Sequence, residues 1–294
     1  MENRDLKKRL SSIRNLPTLP TVADNVIKLT QNPDSTAFDI ATAISQDQAL
    51  ASKVLRTANS AYYGFPRKIT TINYAIVVLG LNNIKNIVLS TSIMARFSKT
   101  GDNRFLDRRD FWKHSLLCGI ISQKIAEHMG IKTAEELFMC GLLHDFGKLI
   151  LDHFFNSDFV KALELSKKKQ ITLMEAENRI FGFNHSGVGA LLLRKWRLPI
   201  SLVTAVERHH RPDPNQNGFR TTAIVHVADY LCRRIGIGSG GDTVLPVLDK
   251  RAFKLVDLTS VQIKRMSRQI TKEFYQATSF LDEEENNPHG TDTP

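Results

Sequence analysis

At 294 residues, with 42% hydrophobic and 24% charged residues, the chain has the composition of a soluble globular protein able to bury one large core or two modest ones. Its formal charge of +10 favours anionic partners in general. The basic residues are spread too evenly to single out nucleic acid, and no RNP, helix-turn-helix or zinc-finger signature accompanies them, so nucleic acid is not an expected partner.

The opening MENRDLKKRL has no apolar core, and no run of about 18 apolar residues follows it. Neither a signal peptide nor a membrane span is expected, and the cytoplasm is the expected compartment. Cys118, Cys140 and Cys232 are far apart and sit in apolar helix-like runs, which predicts free thiols in a reducing environment.

The apolar period is helical throughout, with no alternating strand pattern between hairpin turns, so the fold class is all-α. Pro17 and Pro20 of LPTLP set an extended entry, and VADNVIKLTQ then reads as a helix ending near Asn32-Pro33. Ser35 or Thr36 offers the next N-cap. Helical patterns follow over 36–45, 48–60, 71–80 and 82–97, completing an N-terminal lobe over residues 1–97. The polar SKTGDNR at 98–104 is the natural hinge.

A second lobe, 105–235, is expected to carry helices near 111–129, 134–151, 158–169, 172–180, 185–196, 200–210 and 220–235. Thr133 and Glu136 have capping-box spacing, and Asp110 reads as an N-cap one turn before His114. The Lys167–Lys169 run reads as a solvated helix end. The glycine-rich stretch through 242 lacks the ending of a phosphate loop and reads as a flexible loop. Within 236–281 a last amphipathic helix, about 259–281, lines up Ile263, Met266, Ile270 and Phe274 for packing on its own domain or on a second copy. The tail 282–294 reads as disordered.

Chemistry concentrates in the second lobe. His144-Asp145 in GLLHDFGKLI is joined by His114, His185, His209, His210 and Asp229. Imidazole and carboxylate are ligands for iron, manganese, zinc or nickel, and a carboxylate can bridge two ions. Each residue also has a plainer role open to it. His114 shares a stripe with Leu117, Cys118, Ile121 and Ile125 and needs an interior partner. Asp229 interrupts AIVHVADYLC and must be paired, by a metal, an arginine or a histidine such as His226. Lys148 lies three and four residues beyond Asp145 and His144 and can simply pair with the former. His209-His210 suits a helix C-terminus, and His185 suits an exposed helix start. His128 and His289 read as solvent-facing, and His153 fits either role. The case for a site of one or two divalent ions is therefore the set, since five of nine histidines and two aspartates fall on helices of one lobe.

The order His114, His144-Asp145, Asp229 resembles the H…HD…D signature of the HD superfamily of metal-dependent phosphohydrolases. With His185, His209-His210 and Lys148 added, it resembles the fuller ligand set of the HD-GYP branch, which hydrolyses cyclic di-GMP. The chain departs from that branch after His210, where it reads Arg211-Pro212-Asp213-Pro214-Asn215 and contains no GYP. LPTLPTVADNVIKLTQNP, ISQDQALASKVLRTANSAYYGF and INYAIVVLGLNNIKNIVL resemble, more specifically, the HDOD domain of bacterial signal-transduction proteins, over roughly residues 12–215.

That resemblance implies a two-lobed helical output module whose partners are signalling proteins, related to the HD enzymes but commonly missing their metal ligands and without an established general activity; this sequence departs from it by retaining the ligands. It also implies an alternative, a phosphohydrolase acting on a nucleotide or cyclic dinucleotide. There, His114, His144, Asp145 and Asp229 would hold one ion, His185, His209 and His210 a second bridged by Asp145, and Lys148 would stabilise phosphoryl charge. The sequence leaves enzymatic activity and oligomeric state open.

Overall fold

A computed structural model describes residues 17–60, 63–97 and 106–283. Among these no strand occurs, and no helix is long and apolar enough to cross a membrane. The expected hinge at 98–104 lies outside the described residues, as does the tail beyond Glu283.

The helices are α1 (Thr21–Gln31), α2 (Ala37–Ser45), α3 (Gln48–Ala58), α4 (Ile72–Leu79), α5 (Leu81–Phe97), α6 (Arg108–His128), α7 (Ala134–Leu143), α8 (Phe146–Phe154), α9 (Asn156–Lys169), α10 (Leu173–Phe181), α11 (His185–Lys195), α12 (Ile200–Arg208), α13 (Phe219–Ile235), α14 (Lys250–Val256) and α15 (Ser260–Glu283). Contacts divide the described residues into two compact units, one within 17–24 and 89–258, the other within 25–88 and 259–283.

In the second of these, α2, α3 and α4 pack on one another. The α2 start is the expected one: Thr36 accepts from the Asp39 amide, and the Asp39 side chain returns the bond to the Thr36 amide. The Asn59 carboxamide donates to Ile69 O and accepts from Ile69 N, both at 2.8 Å, which pins the extended approach to α4 against the end of α3. On α15 the predicted stripe is graded: Ile270 and Phe274 are buried, while Ile263 and Met266 are half-buried.

In the larger unit, α6 lies against α7 and α13, α11 against α8 and α12, and α7 against α12 and α13. Two glycines set how closely these helices approach. A Cβ at Gly141 would stand 2.5 Å from Cys118 O and from Ser122 Oγ, so only glycine lets α7 meet α6 there. A Cβ at Gly147 would stand 1.9 Å from His185 O, which fixes the α8–α11 contact in the same way. The indole of Trp196 donates to Pro17 O at 2.9 Å, tying the LPTLP entry to this unit.

The single helix expected over 134–151 is two. It breaks at His144-Asp145, where Asp145 adopts φ −96°, ψ 5° and its carbonyl accepts from Lys148 N, an i+3 bond. Thr133 makes no side-chain cap; its carbonyl accepts from the Glu136 amide instead. The cap of α6 is Asp107, whose carboxylate accepts from the Asp110 amide, so Asp110 lies within the first turn. α14, capped by Asp249, was not visible in the apolar period because it is only seven residues long.

Candidate metal centre

Six helix ends or faces deliver the candidate ligands to one place. α6 carries His114, the α7–α8 break His144 and Asp145, the first residue of α11 His185, the end of α12 His209 and His210, and α13 Asp229. Every predicted ligand is included. Two groups result, His114–His144–Asp229 and Asp145–His185–His209–His210, within each of which the ligating atoms lie within 4.8 Å of one another.

Asp145 links them through its two oxygens. Oδ2 lies 3.2 Å from His144 Nε2 and 3.7 Å from His114 Nε2, while Oδ1 lies 3.2 Å from His185 Nε2 and 3.6 Å from His209 Nε2. Asp229 Oδ1 completes the first group at 3.3 Å from His114 Nε2 and 3.6 Å from His144 Nε2. His185 and His210 face each other, Nε2 to Nε2, at 2.8 Å.

Tautomers follow from the far side of each ring. His144 Nδ1 donates to Gly141 O at 2.7 Å, His209 Nδ1 to Val206 O at 2.9 Å, and His185 Nδ1 to Glu177 Oε2 at 2.6 Å. With the proton on Nδ1, each Nε2 lone pair faces the centre, the usual arrangement of a metal-ligating imidazole. Asp145 Oδ1 and His209 Nε2 are buried without a hydrogen-bond partner. Buried polar atoms are rarely left so, and a cation between them would satisfy both. The donor set fits one or two divalent ions with imidazole and carboxylate preference.

The electrostatics point the same way. Burial lowers the His209 pKa to about 4, and burial with His209 and His185 beside it takes His210 well below the usual imidazole range, so both are neutral donors. Against the same burial, Glu177 and Asp145 raise His185 to about 9. His114 and His144 are likewise raised by Asp145 and Asp229 in spite of burial. Protons on these rings offset the carboxylates when no ion does, and an ion entering would displace them.

A second layer of charge encloses the first. Lys148, fully buried, donates to Asp145 Oδ2 at 2.6 Å, to Gly240 O at 3.0 Å and to Asp242 Oδ2. Arg233 donates to Asp229 Oδ1 at 2.8 Å and pairs through Nη1 with Asp242 Oδ2 at 3.0 Å. The sequence Asp145, Lys148, Asp242, Arg233, Asp229 is thus an unbroken alternation of sign with a ligand at each end. His226 does not pair with Asp229; its Nδ1 donates to His209 O and its Nε2 accepts from Asp249 N, so it buttresses the α12 end.

Asp242 and Glu177 escaped the sequence reading. Glu177 sits at helical spacing with Leu173, Ala176 and Phe181 on the buried face of α10, the kind of signal that exposed Asp229. Asp242 follows a glycine run and has no local signal. His128, His153 and Asp110 are not in either group, and His185 is buried rather than an exposed helix start. Glu177→Gln is expected to weaken metal binding roughly 10–100-fold, as loss of an outer-shell carboxylate typically does. Competition with a chromophoric chelator measures it, and unchanged affinity would rule out an orienting role for Glu177.

Known proteins share this fold. An HDOD domain protein of unknown function from Geobacter sulfurreducens is similar in structure, with a TM-score of 0.80 and 25% identity, over 95% of this chain and 97% of that one. A protein from Shewanella amazonensis provisionally described as a metal-dependent phosphohydrolase shares the fold, with a TM-score of 0.60 and 20% identity, over 93% and 99% of the two chains. An uncharacterized protein of Treponema pallidum is 26% identical over 199 residues, which are 67% of this chain and 38% of that relative. The HDOD domain profile itself matches residues 16–212, and the chain belongs to the HDOD domain family.

Proposed function

We propose that this chain is a signalling output module of a bacterial regulatory system, in which one or two divalent ions serve a structural or regulatory role. The observation that carries this reading is closure. His114, His144, Asp145, His185, His209 and Asp229 are all buried, only His210 is half-buried, and Lys148 spends its three N–H groups on internal acceptors. Its partners on this reading are other signalling proteins.

Elemental analysis of the purified chain beside Asp145→Ala is the test. The expected ratio is about one or two ions per chain, collapsing in the variant because Asp145 serves both groups. Chelation should lower the melting temperature without abolishing a turnover. No metal in either protein after reconstitution with manganese, iron, zinc and nickel would overturn the reading.

A phosphohydrolase is the second reading, favoured by the division of the two Asp145 oxygens between the groups. Two ions held there would polarise a phosphoryl oxygen and steady the attacking and leaving oxygens. Lys148 would neutralise phosphoryl charge, which requires Asp242 to move away. Metal-dependent hydrolysis of a nucleotide or cyclic dinucleotide above the Asp145→Ala background would establish it; none across a panel of phosphodiesters would remove it.

A further inference from the structure

The loop that leaves α13 covers the centre with a single acidic side chain. After Gly236 (φ 77°) the chain runs through Gly238, Ser239, Gly240 and Gly241, and Ser239 N donates to Asp110 O at 3.0 Å on α6. Gly241 rests near Leu106 and Leu163, where a Cβ would stand 3.2 and 3.3 Å from their methyls. A Cβ at Gly240 would stand 2.8 Å from Asp145 Oδ2, so the backbone itself caps the bridging carboxylate.

Asp242 then inserts one oxygen, Oδ2, between the Lys148 ammonium and the Arg233 guanidinium. An ammonium and a guanidinium converging on one acidic oxygen are the donors that recognise a phosphate edge. They do not saturate on Asp242. Arg233 Nη2 is buried with no acceptor, a donor that an anion with four oxygens can satisfy and a two-oxygen carboxylate does not.

We propose that Lys148 and Arg233 form a phosphate-binding site beside the metal groups, that Asp242 fills it as an internal anion, and that a phosphate-bearing ligand opens the 236–242 strap by displacing Asp242. This rests on the metal reading above. Asp145, Asp229 and Asp242 outnumber Lys148 and Arg233, so exchanging a carboxylate for a more highly charged phosphate is favourable only with cations bound nearby. Four of residues 236–241 are glycines, which gives the strap backbone freedom, and it is held by Ser239 N on Asp110 O, by Lys148 on Gly240 O and by the Asp242 ion pairs. Displacement would couple ligand binding to the position of this loop, as a signalling module requires.

The test is calorimetric titration of inorganic phosphate into the metal-reconstituted full chain and its Asp242→Ala variant. If the strap is shut at least nine-tenths of the time, the variant should bind phosphate about tenfold tighter or better. Arg233→Lys in the same background keeps the charge opposite Asp229 but loses the fork, and should give back most of that gain. Equal affinity in wild type and Asp242→Ala, with the metal content of both intact, would overturn the proposal and leave Asp242 an ordinary ion-pair partner. Should Asp242→Ala fail to fold, hydrogen exchange of the wild-type chain decides. Faster exchange at 236–242 in excess phosphate supports the strap, and unchanged exchange overturns it. Failure of the metal reading shows separately, as a wild-type chain without bound ions after reconstitution.

Discussion

Lys148→Met should cost about 3 kcal/mol of folding stability, the lower end of the range for breaking a buried ion pair from one side. The side chain is fully buried and the ammonium faces two carboxylates and a carbonyl. Methionine keeps most of the stem volume and supplies none of the donors, so the loss is of charge rather than of packing. The cost stays near the lower end because neither carboxylate is abandoned: Asp242 keeps Arg233, and Asp145 keeps His144. The burial penalty falls on both acids, which Lys148 and its neighbours hold below the ordinary carboxylate range. Urea denaturation at neutral pH measures the difference. A loss under about 1 kcal/mol would mean that Lys148 behaves as an exposed pair does. Lys148→Met with Asp242→Asn should recover part of the loss, because the second change removes a buried charge the first left under-paired.

Much of this site was legible because its residues violate local rules. Asp229 in an apolar run needs a partner, and the partners are Arg233 one turn on together with His114 and His144 across the fold. The start of α2 was equally accessible, because its cap at Thr36 is local. Two things were not accessible. The break at His144-Asp145 is one: no proline marks it, and Asp145, though it stands at the N-cap of α8, makes no side-chain cap bond there. The approach of Asp242 to Lys148 spans 94 positions, and glycines between elements say only that the chain can turn there. Local propensity encodes elements, whereas this centre depends on which elements come within reach, and that is settled by packing.

Gly147→Ala tests that dependence directly. The added methyl would stand 1.9 Å from His185 O, 2.7 Å from His185 C and 2.8 Å from Gly189 N. These are backbone atoms, so no rotamer change relieves the overlap, and α8 and α11 must separate. Overpacking of this kind costs about 1–3 kcal/mol, with more where the obstacle is rigid, and about 3 kcal/mol is the expected loss here. Gly189→Ala is the comparison: its methyl would meet Val206 Cγ1 at 2.9 Å, a side-chain atom that can rotate, and Gly147 N at 3.2 Å, so a smaller loss is expected. Function should register the difference more sharply than stability. His185 is both the clashing residue and the candidate ligand 3.2 Å from Asp145 Oδ1, whereas in the other group His114 lies on α6 and Asp229 on α13, and His144 ends α7 before the break. In a chain holding two ions, Gly147→Ala should therefore lose the one at the His185–His209–His210 group while retaining the other, and metal analysis of the folded variant should read about half the wild-type content. Full retention would show that the close α8–α11 contact is not what brings His185 to Asp145.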